Sequence, residues 1–325
     1  MINRRIRMAL IVAALAFCAT TAASGVKDAQ RTAVNQFIVT IGGSTSMLAK
    51  WWSRPVVSAK VESAGQDKSG RVNRFPGAPR REPVTLQMNF NQSAELYRWV
   101  GGFCANTPET RDVGLTRADA TRGQVIEQWS LGKSAIVETV FPGGDLQSEE
   151  EGFLLVRVAP TSIERVPADA ASRPAATAFG KARIWQLNRF QFAIDGFESD
   201  DVIRVEPFSV KRRVVEAKTG PGAFVTQTPS GTLELPNLVV TITDDALTRW
   251  VEWHEQMVVH GQLDVERNGV LSMVSADGTT ETARIRFEHL GILSIRDTDS
   301  RSGETRKGWQ VELYFENMIF EVSAP

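Results

Sequence analysis

The residues best suited to chemistry in this chain are few. Ser130-Leu131-Gly132-Lys133, Ser199-Asp200-Asp201 and Lys218-Thr219-Gly220 follow one another in that order. Such a set would perform acyl transfer, with a lysine one helical turn beyond a serine accepting its hydroxyl proton. That chemistry needs Ser130 at the start of a buried helix. The local pattern predicts instead that Ser130 and Lys133 straddle a hairpin turn, with Gly132-Lys133 joining strands over 125–131 and 134–141. His254, His260 and His289 are the only histidines, and none has a second His or Cys at metal-ligand spacing. His254 reads as a buried helix-face residue and His289 as a strand residue, so no triad is suggested. Gly-x-Ser-x-Gly, P-loop and Gly-x-Gly-x-x-Gly motifs are absent from the sequence. The expectation is a protein that is not an enzyme, with no catalytic residue, cofactor or metal.

The serine-lysine set resembles the motif order of penicillin-recognising serine enzymes, which keeps a serine hydrolase as a distant third reading. Asp201 stands where that family has Asn, and the chain offers two clear helices where those enzymes are rich in helix. Charge adds no partner. With 37 basic and 38 acidic side chains the net charge is −1, so nothing in the bulk electrostatics points to nucleic acid or a polyanion, and no specific small-molecule partner is indicated. Arg80-Arg81-Glu82, Lys211-Arg212-Arg213 and Glu149-Glu150-Glu151 read as solvated strand or loop faces.

Residues 1–25 have the three parts of an export signal. Arg4, Arg5 and Arg7 precede an apolar run from Met8 to Phe17, and small residues follow to Thr21 and Ala23. The run is too short for a membrane span, and Phe17 before Cys18 is wrong for a lipid-attachment site. After cleavage near Ala23, Cys104 is the only cysteine, so no intrachain disulfide forms. Cys104 reads as a small buried residue.

The elements that would position any site occur twice. Val84 to Val100 is echoed by Leu235 to Val251, each a strand followed by a Leu-x-x-Trp-Val helix. Pro76-Gly77-Ala78 and Pro221-Gly222-Ala223 stand ahead of the two copies. Phe37 to Gly43 parallels Phe190 to Gly196, each an apolar strand ending at glycine. The pair 125–131 and 134–141 is matched with 269–276 and 279–290, the latter joined by Asp277-Gly278. Closing strands from Gly152 to Val166 match those from Gly308 to Val322. Repetition of whole supersecondary units points to tandem duplication.

The expected fold is mainly β (α+β), two tandem β-barrel or sandwich units with one flanking helix each. The units span 26–166 and 183–325, joined by an Ala/Pro-rich linker at 167–182. In the second helix Thr243, Asp244 and Asp245 are expected to cap the start. Leu247, Trp250, Val251, His254, Met257 and Val258 are expected to share one buried face. In the first helix Leu96, Trp99, Val100 and Phe103 take that role, with Gly101-Gly102 shortening it.

Arg74-Phe75-Pro76-Gly77 with Pro83-Val84-Thr85-Leu86, and Gly231-Thr232-Leu233 with Leu238 to Ile242, Asp244-Asp245-Ala246-Leu247 and Trp250-Val251, resemble the tail-tube family of contractile phages and related injection systems. The closing strand from Trp309 to Val322 adds to that resemblance. It implies a tube-like β unit whose hairpin reaches a neighbour and whose sheets join in rings around a lumen. Family members form hexameric rings of single units, so two fused units imply a homo-oligomeric trimer, with other tail or injection-system components as further partners. The segments 70–82 and 218–230 are read as long intersubunit loops, with Arg74, Phe75, Pro76, Gly77, Pro221, Gly222, Ala223 and Phe224 as contact residues. Use of the leader implies a periplasmic or extracellular protein repurposed for the envelope; otherwise a virion or cytoplasmic tail assembly is implied. An exported monomeric binding module of the same fold is the alternative. N-terminal sequencing of the native protein should find the mature end near Ser24; an intact Met1 on protein that has not been exported would contradict the leader reading.

Overall fold

The computed structural model describes residues 35–43, 45–89, 94–107, 109–121, 123–167, 185–198, 200–218, 223–275, 278, 280–298 and 308–322. The leader, the linker beyond Pro167, Ser199, Thr219 to Gly222 and Asp277 lie outside the described residues. Residues 35–325 cluster as one compact unit.

The first half of that unit runs β1 (Asn35–Ile41), β2 (Thr45–Trp52), β3 (Val57–Gln66), β4 (Val72–Arg81), β5 (Val84–Met88), α1 (Ala94–Cys104), β6 (Thr110–Asp119), β7 (Val125–Phe141), β8 (Gly144–Asp145), β9 (Leu154–Ala159) and β10 (Ser162–Val166). Alternation sets the faces. In β5, Val84, Leu86 and Met88 are buried while Thr85 and Gln87 are not, and β9 repeats this with Leu154, Val156 and Val158. The ladders close on themselves in the order β1-β2-β5-β9-β7-β6 and back to β1, giving a barrel without a free edge within that ring. The apolar stripe of α1, Leu96, Trp99, Val100 and Phe103, recurs at helical spacing and is buried in the core. The Trp99 indole satisfies its N–H on the Glu109 carbonyl at 3.0 Å.

The second half runs β11 (Phe190–Ile194), β12 (Val202–Val205), β13 (Phe208–Lys218), β14 (Val225–Glu234), β15 (Leu238–Ile242), α2 (Leu247–His254), β16 (Arg267–Val274), β17 (Glu281–Asp297), β18 (Trp309–Tyr314) and β19 (Asn317–Val322). Its sheet follows the same order, β11-β16-β17-β18-β15-β12, with β19 continuing β18 along β17. Among the described residues β11 and β12 do not pair, so this ring is open by one ladder.

Several sequence expectations are corrected here. Gly132-Lys133 is not a hairpin turn: β7 is one strand of 17 residues, the length of β17. Gly132 and Lys133 together oppose Asp112 alone, a β-bulge that puts Lys133 at φ 43. Glu288 and His289 likewise oppose Asn268, with His289 at φ 56. Ser130 and Lys133 therefore share a strand, and no helix brings that lysine one turn from the serine. The counterparts of β16 and β17 are β6 and β7, so the matching of 125–131 and 134–141 with the second hairpin is also replaced.

The helices differ from expectation too. Helix α1 runs through Gly101 and Gly102. At the start of α2, Ala246 occupies the cap position and no side chain caps it, while Asp244 accepts from the Trp309 indole at 3.0 Å. A π turn at Glu255–Val259 ends α2. Trp250, Trp253 and Met257 are buried at ordinary helical spacing, Leu247, Val251 and His254 are only half-buried, and Val258 is exposed. Cys104 is buried as expected, and burial pushes its thiol up to about 12. No described helix is long and apolar enough to cross a membrane.

Trp99 and Trp250 are fully buried at equivalent places in the Leu-x-x-Trp-Val helices. Replacing either with alanine is expected to cost about 3–5 kcal/mol, read as a lowered urea midpoint. Loss below about 1 kcal/mol would show that the tryptophans are not packing anchors.

Candidate assembly interface

The second half of the molecule is attached to the first through an exposed backbone edge. One side of β7 carries β10 and β9 in succession. Its other side carries β6 only as far as Ala135, leaving the segment to Phe141 without a partner from its own barrel. That edge is taken by β13, with Phe208 opposite Phe141, Ser209 opposite Val140, Val210 opposite Thr139 and Lys211 opposite Glu138. Strand addition of this kind satisfies backbone groups that would otherwise be orphaned.

Side chains reinforce the joint. Phe141 and Phe208 stack with ring centroids 5.2 Å apart. Phe208 also meets Phe287 of β17 at 5.8 Å, and Phe141 meets Phe320 of β19 at 5.4 Å. These rings lie in one core shared by both halves, each pair adding about 0.5–1.5 kcal/mol beyond burial. Helix α1 comes down on β19, Tyr97 lying 6.0 Å from Phe320. Gly101 explains the close approach: a methyl built there would sit 3.3 Å from the Phe320 carbonyl oxygen. Arg212 of β13 is buried with its guanidinium 5.6 Å over Phe103 of α1. A small second ladder joins β8 to β12, Asp145 opposite Arg204.

Glu138 collects the polar contacts of the joint. Ser209 donates to it at 2.7 Å, Arg157 at 2.8 Å, and Lys211 lies 3.4 Å away. Burial works against its charge, but the Ser209 and Arg157 hydrogen bonds and the Lys211 and Arg157 charges outweigh that and hold the carboxyl below its ordinary value.

The predicted contact residues fall on the two hairpins. The segment 70–82 is strand β4 rather than loop, with Phe75 opposite Glu62, Arg74 opposite Ser63 and Pro76 opposite Val61. A Cβ at Gly77 would lie 2.5 Å from the Glu62 carboxylate, so a side chain there would displace Glu62. In the segment 218–230, residues 225–230 belong to β14 and Lys218 ends β13. Pro221 and Gly222 lie outside the described residues, while Ala223 and Phe224 immediately precede β14. Phe224 sits under the Arg81 guanidinium at 3.9 Å, and Arg80 is paired with Glu216. One parallel bridge, Val225 to Arg80, links β14 to β4. The hairpins thus meet each other within one chain. Sequence reasoning missed Phe141, Phe208, Glu138, Tyr97 and Phe320, whose partnership is visible only once β13 is placed on β7.

The counterpart of this edge in the second half is vacant. β7 and β17 align residue for residue, their positive-φ positions both falling at the bulge. Burial agrees along the two strands until the joint begins and then diverges. Val137 is 6% exposed and Leu293 39%, while Phe141 is 0% exposed and its counterpart Asp297 is exposed. Among the described residues no strand pairs with that edge of β17 beyond Leu290 or with the outer edge of β3. Val56 and Val57, at the start of β3, are each 49% exposed. No convergent group of His, Cys, Asp or Glu forms a metal cluster among the described residues.

No protein-family model matches the chain. No curated protein matches it either. Solved structures match part of it, among them chains from contractile injection systems. The sheath/tube terminator of the PVC extracellular contractile injection system is 17% identical over 41% of this chain and 94% of its own, with a TM-score of 0.35. The tube-terminating cap of the anti-feeding prophage is 19% identical over 41% and 88%, with a TM-score of 0.35. A chain of the PVC sheath-tube complex is 18% identical over 41% and 89%, also at 0.35.

Because the folded carboxyl of Glu138 is depressed, its contribution to stability is complete above the ordinary carboxylate range. It is lost as pH falls through the depressed value. Glu138→Gln should therefore flatten the acid limb of the unfolding midpoint against pH and leave the neutral-to-alkaline limb parallel to the parent. An unchanged acid limb would remove Glu138 from the joint's energetics.

Proposed function

We propose that this chain is a non-enzymatic structural protein, two tube-like units at 26–166 and 183–325 fused by a linker, which self-associates into or within a ring or tube. One observation carries the reading. The chain joins its own halves by adding β13 to the spare edge of β7, and it presents the same edge again, unoccupied, on β17. A donor edge is also present, because β3 stands to β2 and β5 as β13 stands to β12 and β15. A molecule with one acceptor and one donor edge at opposite ends of a repeat forms head-to-tail contacts, which close as rings or run on as filaments. Three copies would supply six similar units, and the leader would place them in the envelope or outside the cell.

The two hairpins bearing Arg74 to Gly77 and Ala223 to Phe224 lie beside the strands that would carry the contact, consistent with a role between copies. Multi-angle light scattering of the mature protein across a concentration series should give a multiple of the monomer mass, three copies for a closed ring of six units. A strict monomer at the highest concentrations would overturn the reading and favour an exported monomeric binding module.

A further inference from the structure

We infer that one copy binds the next through a charge-keyed version of the internal joint, with Glu252 of α2 facing Arg165 of β10 on a second copy. The inference rests on the self-association proposed above and names its surfaces, register and electrostatics. At the internal joint α1 and the end of β7 meet β19 and β13. The equivalent surfaces left without a partner are α2 and the end of β17 on one side, and β10 and β3 on the other.

The register follows from the ladders. Val84 of β5 and Leu238 of β15 hold equivalent places, since Val84 pairs with Val158 and Leu238 with Leu313, beside Ile136 and Ile292 respectively. Arg80 and Glu234 stand equally far before them and pair with Ser58 and Lys211. Val57 therefore takes the place of Val210. Val210 faces Thr139, whose counterpart on β17 is Ile295. Val57 of one copy thus falls opposite Ile295 of the other, and the exposed Val56 and Leu293 lie next to them.

The helix contact changes character. Leu96-Tyr97-Arg98-Trp99-Val100 and Leu247-Thr248-Arg249-Trp250-Val251 differ at one position, so Thr248 replaces Tyr97 and Glu252 replaces Gly101. On the opposing strand Phe320 pairs with Ile285 and Arg165 pairs with Trp129, the residue equivalent to Ile285. Arg165 therefore replaces Phe320. An apolar contact of Tyr97 and Gly101 with Phe320 becomes a contact of Thr248 and Glu252 with Arg165. Both changed partners are exposed and make no ion pair among the described residues. Glu164 and Arg165 project to opposite faces of the sheet, so Glu164 does not oppose the pairing. A Cβ at the glycine position would crowd the strand, so this joint opens by a few tenths of an ångström relative to the internal one. Internal and external joints then differ at the helix contact: the first is apolar there and lies within one chain, the second is charged there and sensitive to salt.

The test uses the full mature chain. Val57→Cys and Ile295→Cys are made in separate chains, mixed, and treated with a short thiol cross-linker. Cys104 stays silent because it is buried. The mixture should give a cross-linked dimer and each variant alone should not. In parallel, Glu252→Arg or Arg165→Glu should each weaken association about tenfold, the double exchange should restore it, and raised salt should weaken only the unexchanged and doubly exchanged proteins. The thermal midpoint serves as the folding check, since Glu252, Arg165 and Val57 are exposed while Ile295 packs partly against the core. Oligomers that form without mixed cross-linking, or without rescue by the double exchange, would overturn this inference and leave self-association standing. A strict monomer at all salts would overturn both.

Discussion

The spare edge of β7 governs this molecule. A barrel strand needs a partner on each side, and β7 is long enough that β6 satisfies only its first part. The remaining backbone groups must find a strand from elsewhere, and β13 supplies it. Everything that unites the two halves is arranged around that ladder: the stacked Phe141 and Phe208, the carboxylate of Glu138 between Ser209, Arg157 and Lys211, and α1 lying on β19 across Gly101. A compact unit of two similar halves results, with a core that crosses between them.

The same logic creates an imbalance. β17 has the length and bulge of β7, but among the described residues no strand covers its end, and Leu293, Arg296 and Asp297 there are exposed. Edges of this kind template association with another chain unless something blunts them. Here charge sits beside the edge, with Arg296 and Asp297 on β17 and Glu252 on α2, and does not bury it.

Much of the architecture was legible in residue order. The Leu-x-x-Trp-Val helices, the strands ending at Gly42 and Gly196 and the closing strands all stand where the pattern placed them, because alternation and helical spacing are local signals. The Gly132-Lys133 error has a local cause as well. A bulge and a tight turn make the same demand for positive φ, so the dipeptide could not distinguish a strand that bends from one that reverses. Trp253 was missed because the buried face was drawn through Val251 and His254, which are only half-buried, whereas Trp253 stands one helical step from Trp250 on the face that is covered. Gly101 looked like a helix breaker and proved to be a contact surface. The joint itself was not legible, since nothing local to 208–211 records that its partner is 138–141.

Amide hydrogen exchange followed across a dilution series measures the central claim most directly. Residues 138–141 should be slow to exchange at every concentration, being covered within the chain. The amides of 293–297 that point away from β18 should be protected in concentrated protein and become fast on dilution. Exchange at those amides that is fast and independent of concentration would contradict the account, because the edge that mirrors the internal joint would then have no partner.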